Sequence, residues 1–362
     1  MSDIQTKTLE VLRKNISDMR FSSASISLDL GANEVLFEVD QLSLTANNIS
    51  YAKSGDQLGY WDFFPTSSGW GRIPGIGWAT VVKSSHPQIT EGARTWGFYP
   101  YASHHKILAG NVVATGFSDA STHRSGHAPV YTKFDLASSF PVYDEARESQ
   151  DSLLRGLYAT SWLLEDFFQT NSYFESALCI VTSASSKTGI ALAHSLQKRG
   201  FSCVGLTSAA NVAFCERTGC YDKAMSYEDF ASLDNTKAVI MADFTGNTSL
   251  ISKLHHHFGD NMKFSSRIGA THPSGLHRPG EMPGARPTFF FAPTHSERLN
   301  STLGVEHVTK ILFGAYKEFR VFCDGWLKIE HSESEVDLVR AYLSALNGTV
   351  PPDTGQIVSL TA

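Results

Sequence analysis

The chain has 362 residues, of which 42% are hydrophobic and 18% charged, and its formal net charge is −6. This composition is typical of a folded globular protein and excludes a mostly disordered chain. The acidic balance, without any run rich in Lys and Arg, argues against a nucleic-acid partner. The length is sufficient for two domains of ordinary size.

The five cysteines indicate a reducing compartment. They show no Cys-x-x-Cys spacing, so we expect buried thiols and neither disulfides nor zinc ligands. No apolar run approaches the roughly 18 residues that span a bilayer, and the first residues lack the apolar core of a signal peptide. The sequence therefore predicts a cytoplasmic protein with no membrane partner.

The first 150 residues carry strand signals separated by turns, with few helical patterns. Residues 26–39 hold two β-like runs around Gly31, which predicts a hairpin with its turn at that glycine. Another strand signal occupies residues 72–83, whereas residues 118–131 have the composition of a long loop. We expect a β-rich catalytic domain over residues 1–150.

Helical periodicity begins at residues 151–168, and strand and helix signals alternate after it. Such alternation predicts an α/β fold with a doubly wound, Rossmann-like parallel sheet and helices on both faces. Residues 297–326 predict one continuous helix, and residues 355–360 predict a closing strand. We therefore expect a nucleotide-binding domain over residues 151–324 and a return of the chain into the first domain over residues 325–362.

Residues 177–189, ALCIVTSASSKTG, form the strand, tight loop and helix start that open the second domain. The small and hydroxylated loop residues let a ligand approach the backbone and the first amides of the helix. Lys187 at a helix N-terminus opposes the helix dipole unless an anion binds there. The segment predicts a phosphate site, although a Ser-rich turn in an ordinary βα unit has the same pattern. Its candidate ligands are Ser185, Ser186, Lys187, Thr188 and Gly189.

Two features indicate which nucleotide binds: the glycine pattern, and the end of the second strand of the nucleotide-binding domain. Of the Gly-x-Gly-x-x-Gly fingerprint only Gly189 is present, and the missing glycines of a P-loop exclude nucleoside triphosphate hydrolysis. No acidic residue ends the second strand, where an NAD site carries one, so we expect NADPH, with Ser208 and Lys187 at its 2′-phosphate. Later strand ends add three candidate cofactor contacts, Thr245, Gly246 and Gly269.

The order of these parts resembles the medium-chain dehydrogenase/reductase superfamily over most of the chain. Residues 33–39 are similar to its early strand, Pro74 and Gly75 to its Pro-Gly-His-Glu element, residues 92–97 to its Gly-Asp-Arg-Val turn, and residues 156–160 to its Gly-Leu-Thr-Ala-Tyr helix. The Ser-Ala-Ser-Ser-Lys-Thr loop more narrowly resembles an uncharacterised branch. The resemblance implies a GroES-like β domain beside the Rossmann-like domain.

Departures from the superfamily pattern indicate a zinc-independent protein. Zinc-dependent members place a Cys before the first catalytic loop and His-Glu after Pro-Gly, but residues 43–51 hold no Cys, and Ile76 and Gly77 follow Gly75. Catalytic zinc needs about three protein ligands, so we expect no metal. The chain resembles the quinone and enoyl reductases, whose Asn-Pro-x-Asp-x-Tyr-x-x-x-Gly stretch places its tyrosine at Tyr51.

Without a metal, hydrogen-bond donors must stabilise the charge that develops on a substrate oxygen. The candidates are Tyr51 and either Asn47 or Asn48, and a tyrosine hydroxyl can also deliver the proton. A tyrosine bonded to a backbone carbonyl and asparagines that fix a turn are the alternatives. Candidate residues of the substrate pocket are two aromatic side chains, which core packing would also explain, and two basic side chains: Trp61, Phe64, His123 and Arg124.

The sequence thus predicts a zinc-independent, NADPH-dependent oxidoreductase that reduces a carbonyl or activated C=C bond of a small apolar substrate. Two alternatives stay open: a nucleotide-binding protein without redox turnover, and non-redox C–C bond chemistry on the same scaffold. Relatives in the superfamily dimerise through the edge of the nucleotide-domain sheet, and the apolar residues 288–292 are a candidate for such an edge.

Overall fold

The computed structural model describes residues 3–268 and 282–361. The chain forms two compact units, one made of residues 1–153 and 327–362 and the other of residues 154–326. Within the described residues, no helix is both long and apolar enough to cross a bilayer.

The first unit is built mainly from antiparallel strands, with short helices between them. Its strands are β1 (Ile4–Leu12), β2 (Asn15–Ile26), β3 (Glu34–Leu44), β4 (Trp70–Gly71), β5 (Pro74–Ser84), β6 (Arg94–Pro100), β7 (His104–Val113), β8 (Gly116–Asp119), β9 (Lys133–Leu136), β16 (Lys328–Ser332) and β17 (Thr354–Val358). Its helices are α1 (Ala46–Lys53), α2 (Gly55–Leu58), α3 (Pro129–Thr132) and α10 (Glu335–Leu346).

The larger sheet of this unit closes into a barrel. Its strand order is β16-β17-β3-β5-β6-β9-β8-β7, and β3 also pairs with β7, so that the strands from β3 to β7 form a ring. Closure removes the free edges that an open sheet would expose. Buried aromatic side chains form its core, among them Phe37 and Phe134, whose rings lie 5.1 Å apart.

The hairpin predicted at Gly31 is wrong. Among the described strands, β2 pairs with β1 in a three-stranded sheet, whereas β3 pairs with β5, β7 and β17. Residues 27–30 of the first run lie outside the strands, whereas residues 34–39 of the second run belong to β3. A turn signal reports only local backbone preference, and partners far along the chain decided the pairing of β3.

The second unit alternates strands and helices. The boundary between the units falls inside α4 (Glu148–Thr170). The strands of the second unit are β10 (Leu178–Thr182), β11 (Cys203–Thr207), β12 (Lys223–Ser226), β13 (Val239–Asp243), β14 (Met262–Arg267) and β15 (Thr288–Phe289). Its other helices are α5 (Lys187–Lys198), α6 (Val212–Thr218), α7 (Thr248–Phe258), α8 (Ala292–Leu303) and α9 (Val305–Cys323).

These strands form a parallel sheet in the order β12-β11-β10-β13-β14-β15. This is the order of a Rossmann fold, and it reverses direction between β10 and β13. Every residue of β11 and β13 is buried, which accounts for their continuous apolar character in the sequence. The predicted fold class, a Rossmann-like parallel sheet together with a β-rich domain, is confirmed.

Two other segments differ from the sequence-based expectation. The expected loop at residues 118–131 contains the end of β8 and most of α3. The single helix expected over residues 297–326 is two helices, because Gly304 between α8 and α9 has φ = 84°, a conformation that side-chain-bearing residues rarely adopt. Periodicity alone did not reveal this break.

Candidate functional site

The carboxyl ends of β10 and β13 lie side by side in the parallel sheet of the second unit. Their following segments run to α5 and α7, and the strand order reverses between them. In open α/β sheets this is the place where ligands bind. The predicted cofactor residues that follow β10 and β13 therefore come together at one crevice.

The loop after β10, residues 183–186, is called the Ser-rich loop here. Two tyrosine hydroxyls bond to its backbone. The hydroxyl of Tyr227 accepts from the N–H of Ser183 at 3.2 Å, and the hydroxyl of Tyr221 donates to the carbonyl of Ala184 at 2.8 Å. Ser183 has φ = 51°, which is unusual for a residue with a side chain. Neighbouring strands and loops thus fix the loop backbone before any ligand arrives.

Ser185 ties the Ser-rich loop to the end of β11. Its Oγ accepts from the hydroxyl of Thr207 at 3.0 Å and from the side-chain amide of Asn211 at 3.1 Å. Its own hydroxyl hydrogen is therefore available to a ligand. Ser208, the predicted contact of a 2′-phosphate, is exposed directly after β11.

Ser186 and Gly189 shape the start of α5. The hydroxyl of Ser186 accepts from the N–H of Gly189 at 3.0 Å and so caps the helix. A Cβ at Gly189 would lie 2.9 Å from the carbonyl oxygen of Ser183, so only glycine allows this close approach. Gly189 therefore performs the packing role of the third glycine in a dinucleotide fingerprint.

Two backbone donors remain open at the start of α5. Within the described part of the chain, the N–H groups of Ser185 and Thr188 have no acceptor. Unpaired amides at a helix N-terminus, where the helix dipole is positive, bind phosphate oxygens. Lys187 is the first residue of α5 and is half-buried.

Asp243, at the end of β13, organises the other side of the crevice. Its buried carboxylate accepts from the hydroxyl of Thr182 at 2.7 Å, from the N–H and hydroxyl of Thr245 at 3.1 and 2.7 Å, and from the N–H of Gly246 at 3.1 Å. The carboxylate thus joins the ends of β10 and β13 and sets the loop at Gly246, where φ is 63°. Gly269, the remaining predicted cofactor contact, lies outside the described residues.

In the first unit, helix α1 carries the predicted catalytic residues. Thr45 begins the helix, and a capping box joins Thr45 to Asn48. The Oδ1 of Asn48 accepts from the N–H of Thr45 at 2.7 Å, and its Nδ2 donates to the carbonyl of Pro74 at 2.8 Å. Asn48 is buried and positions α1, whereas Asn47 is exposed.

Tyr51 lies one turn after Asn47, so both side chains are on the same face of α1. Its ring is 4.6 Å from that of Tyr60 and 6.4 Å from that of Phe98. Its hydroxyl has no hydrogen-bond partner among the described residues, so the alternative of a bond to a backbone carbonyl has no counterpart there. Burial, with Tyr60 beside it, holds the pKa of Tyr51 well above its ordinary value, which keeps the hydroxyl protonated.

Tyr51 packs against a group of side chains called the aromatic cluster here. Its members are buried or half-buried side chains of α1, of α3 and of the residues that follow α1: Tyr51, Leu58, Tyr60, Phe63, Phe64 and Tyr131. The hydroxyls of Tyr60 and Tyr131 are 3.5 Å apart, a long contact in which either can donate. Phe64, a predicted substrate contact, is buried in this cluster.

The other three predicted pocket residues lie in different surroundings. Trp61 is buried in the main core of the unit, where a Cβ on Gly55 or Gly71 would overlap its ring at 2.2 and 2.4 Å. Its position is that of a core side chain outside the aromatic cluster. His123 is exposed, but its neighbour Arg124 is buried with its guanidinium carbon 4.4 Å from the centre of the Phe63 ring.

No group of three or more His, Cys, Asp or Glu side chains could hold a metal ion within residues 3–268 and 282–361. The consecutive histidines of α7 have separate protein partners instead. His255 bonds to the carbonyl of Pro283, and His257 to the carbonyl of Leu233.

Sequence reasoning missed several residues that build these sites. Asp243 is a carboxylate at the end of an otherwise apolar strand and is followed by Thr245 and Gly246, a pattern that signals a fixed strand-end loop. Tyr221 and Tyr227 flank β12, and the sequence around them gives no sign of a role at the Ser-rich loop. Their role depends on β12 lying beyond β11 in the sheet, which only the fold reveals.

Solved structures with this two-domain fold have low sequence identity to the chain and include proteins named as oxidoreductases. CurA from Vibrio vulnificus is 10% identical, with a TM-score of 0.63 and 98% of each chain covered. The quinone oxidoreductase from Coxiella burnetii is 12% identical, with a TM-score of 0.61 over 99% of this chain and 100% of that chain. The yhdH oxidoreductase from Salmonella enterica, in complex with NADP, is 13% identical, with a TM-score of 0.56 over 99% and 100%.

No curated protein matches the sequence. The family model described as "Protein of unknown function (DUF2855)" matches residues 42–351, which include α1, the barrel strands β5 to β9 and the whole second unit. The chain therefore belongs to the DUF2855 family and has the fold of the quinone and enoyl reductases.

Proposed function

We propose that this protein is a zinc-independent reductase that uses NADPH to reduce a carbonyl or activated C=C bond of a small apolar substrate. The observation that carries the proposal is the pair of open amides, Ser185 and Thr188, at the start of α5 beside the reversal of strand order. Solved structures of the same fold include CurA in complex with NADPH and the yhdH oxidoreductase in complex with NADP.

The residues around the Ser-rich loop fit a dinucleotide. The open amides and the hydroxyl of Ser185 would hold the pyrophosphate, and Gly189 lets the start of α5 pack closely on Ser183 of the loop. No acidic side chain follows β11 to repel a 2′-phosphate. The hydroxyl of Ser208 would donate to that phosphate and the positive charge of Lys187 would attract it, which favours NADPH over NADH. Thr245 and Gly246, set by Asp243, would border the crevice.

When bound, the nicotinamide ring supplies a hydride. The protein must then stabilise the charge that develops on the substrate oxygen. We assign this role to the hydroxyl of Tyr51, with Asn47 on the same face of α1 as a second donor. Because burial raises the pKa of Tyr51, the neutral hydroxyl persists at alkaline pH and serves as a hydrogen-bond donor.

The surroundings of Tyr51 support a small apolar substrate. The aromatic cluster offers the rings of Tyr60, Phe63 and Tyr131 near Tyr51, and Phe98 packs beside both Tyr51 and Tyr131. Rings of this kind bind flat apolar groups and exclude water, which strengthens a hydrogen bond to a substrate oxygen. Asn48 has a positioning role in this proposal, since both ends of its amide are bonded to the backbone.

A homodimer through the sheet of the second unit is part of the proposal. Among the described strands, β15 is at the edge of that sheet, and Phe289 in it and Phe291 after it are 40% and 54% exposed. An unpaired, apolar sheet edge favours pairing with another copy of the strand. A mass of one chain, measured by light scattering, would contradict it. All five cysteines are buried free thiols, which fits the cytoplasm.

The proposed function is tested by calorimetric titration with NADPH and with NADH. We expect NADPH to bind more tightly and Lys187→Ala to weaken it about tenfold, because the variant loses a charge at the phosphate. The matched control is Lys198→Ala on the same helix, where the lysine forms a surface ion pair with Glu318. It should leave the affinity unchanged.

Turnover is then measured as loss of NADPH absorbance with enones and ketones. NADPH binding without turnover would favour a nucleotide-binding protein that performs no redox reaction. Failure of both nucleotides to bind at millimolar concentration would overturn the proposal.

A further inference from the structure

The hydrogen-bond ladder between β10 and β11 changes where the Ser-rich loop begins. The two strands are paired in regular parallel register up to Thr182, which lies opposite Leu206. The N–H of Cys179 donates to the carbonyl of Ser202. Bonds in a parallel ladder are evenly spaced, so donors and acceptors advance together along the two strands. Continued to the end of β10, this pattern would bring the N–H of Ser183 to the carbonyl of Leu206.

Ala184 occupies this acceptor instead. Its N–H donates to the carbonyl of Leu206 at 3.0 Å. Ser183 is therefore an extra residue in the ladder, a bulge, and its φ of 51° is the left-handed conformation that glycine commonly adopts in bulges. The conformation is unfavourable for a serine, because its Cβ crowds the neighbouring peptide group. An interaction outside the ladder must hold Ser183 in it.

The hydroxyl of Tyr227 replaces the acceptor that Ser183 has lost. The N–H of Ser183 donates to this hydroxyl at 3.2 Å, and among the described residues no carbonyl accepts from that N–H. Tyr227 follows β12 and is itself held in place. Its N–H donates to the carbonyl of Thr207 at 2.9 Å, and its side chain packs against the apolar core between the sheet and α7. The acceptor thus comes from a neighbouring strand end and not from the loop.

The bulge sets the geometry of the start of α5. In the turn after the bulge, the N–H of Ser186 donates to the carbonyl of Ser183 at 2.8 Å, and α5 begins at the next residue. If Ser183 returned to a negative φ and bonded to Leu206, this turn would reorient together with the amides of Ser185 and Thr188. The backbone therefore has two alternatives, and the bulged one offers the open amides.

We propose that Tyr227 is a positioning residue for the cofactor, whose hydroxyl keeps Ser183 in the left-handed conformation and the amides of Ser185 and Thr188 open to the pyrophosphate. The inference rests on the proposed NADPH site. In this role Tyr227 acts through the backbone of Ser183. Because glycine adopts a positive φ without strain, Ser183→Gly should make the hydroxyl largely dispensable.

The test is calorimetric titration of the full chain with NADPH in the wild type, Tyr227→Phe, Ser183→Gly and the double variant. We expect Tyr227→Phe to weaken binding about tenfold, as the loss of one hydrogen bond that selects the binding conformation implies. In the Ser183→Gly background the same loss of the hydroxyl should weaken binding only about twofold. Equal affinity of Tyr227→Phe and the wild type, or an equal loss in both backgrounds, would overturn the inference.

Two controls separate the backbone of Ser183 from other effects. Ser183→Ala keeps the left-handed conformation unfavourable, so in this background Tyr227→Phe should still lose the full affinity. Tyr221→Phe removes a hydroxyl that donates to the carbonyl of Ala184 at 2.8 Å and does not touch Ser183. Ser183→Gly should therefore not restore affinity that is lost in Tyr221→Phe. Recovery with alanine, or recovery of Tyr221→Phe with glycine, would contradict a role through the φ of Ser183.

Urea unfolding of the same proteins tests the inference without a cofactor. We expect Ser183→Gly to change the urea midpoint more favourably in the wild type than in Tyr227→Phe, because only the hydroxyl holds the chain in the strained φ that glycine relieves. Equal changes in the two backgrounds would show that the positions are not coupled, and would overturn the inference. Failure of NADPH to bind the wild type would count against the proposed function alone.

Discussion

The Ser-rich loop and the aromatic cluster differ in how their polar side chains are paired. In the loop, Ser185 and Ser186 bond to fixed neighbours, and Asp243 across the crevice accepts from four donors. Around the cluster, the hydroxyl of Tyr51 and two nitrogens of Arg124 have no hydrogen-bond partner among the described residues. The loop therefore offers backbone amides that are already held in place, whereas the cluster offers side chains whose partners must come from a ligand.

Asp243→Asn should have the largest effect, because Asp243 fixes the geometry of the crevice. The carboxamide can keep its oxygen for the three contacts of Oδ1, but its NH2 group then faces the N–H of Gly246, a donor, and the charge that strengthens all four contacts is lost. We expect the free energy of unfolding to fall by about 3 kcal/mol and NADPH affinity to fall with it. Urea unfolding and calorimetry would measure the two effects. Asp260→Asn, an exposed acid in the same unit, is the control. Unchanged NADPH affinity in Asp243→Asn would show that the network does not organise the cofactor site.

The open hydroxyl in the cluster is tested by Tyr51→Phe. Loss of the donor should reduce turnover about 100-fold and leave NADPH affinity unchanged, because the cofactor site lies in the other unit. Tyr60→Phe, in the same cluster, is the control and should change turnover only a few-fold. Because burial raises the pKa of Tyr51, wild-type turnover should not decline through its ionisation up to its ordinary pKa of about 10. Wild-type activity in Tyr51→Phe would remove this residue from the proposal.

His194 on α5 provides a contrast to Tyr51, because it is a polar group without a hydrogen-bond partner that lies in the core and not at a candidate site. Its Nδ1 is buried without a partner among the described residues, its ring packs on Phe319 and Phe322, and burial lowers its pKa to about 4. The unfolded chain binds a proton near pH 6.5 and the folded chain only near pH 4, so stability is complete above pH 6.5 and declines as the pH falls between these values.

We expect a loss of about 2 kcal/mol over this pH range, measured as a shift of the urea midpoint between pH 7 and pH 4.5. In His194→Gln the part of the shift due to this residue should disappear. His256→Gln, an exposed histidine in the same unit, should keep it. An equal shift in all three proteins would assign the acid sensitivity to other groups.

The smallest expected effect concerns the cap of α5. Ser186→Ala should lower the free energy of unfolding by about 1 kcal/mol, because the N–H of Gly189 loses its acceptor. Ser186→Gly should lower it by only a few tenths of a kcal/mol, since glycine is tolerated at the N-cap. Urea unfolding measures both variants. If the glycine variant were the less stable one, Ser186 would act by something other than capping.

The sequence predicted the parallel sheet because alternating strands and helices permit few arrangements, and the buried strands β11 and β13 carry continuous apolar runs. It predicted the wrong pairing around Gly31, because the partners of β3 lie as far along the chain as residues 356–358. Roles set by long-range neighbours were equally hidden: Asn48 bonds to Pro74, and Trp61 packs on Gly71. The buried ion pair between Arg124 and Asp119 depends on the fold as well.

The pairing of β17 with β3 also constrains the order in which the protein is made. Residues 356–358 pair with residues 42–44, so the last strand of the barrel sheet leaves the ribosome after the whole second unit. The second unit is continuous in sequence and can fold as soon as it emerges. The first unit must wait with this part of β3 uncovered. The end of β3 leads directly into α1, so the proposed catalytic helix is secured last during synthesis.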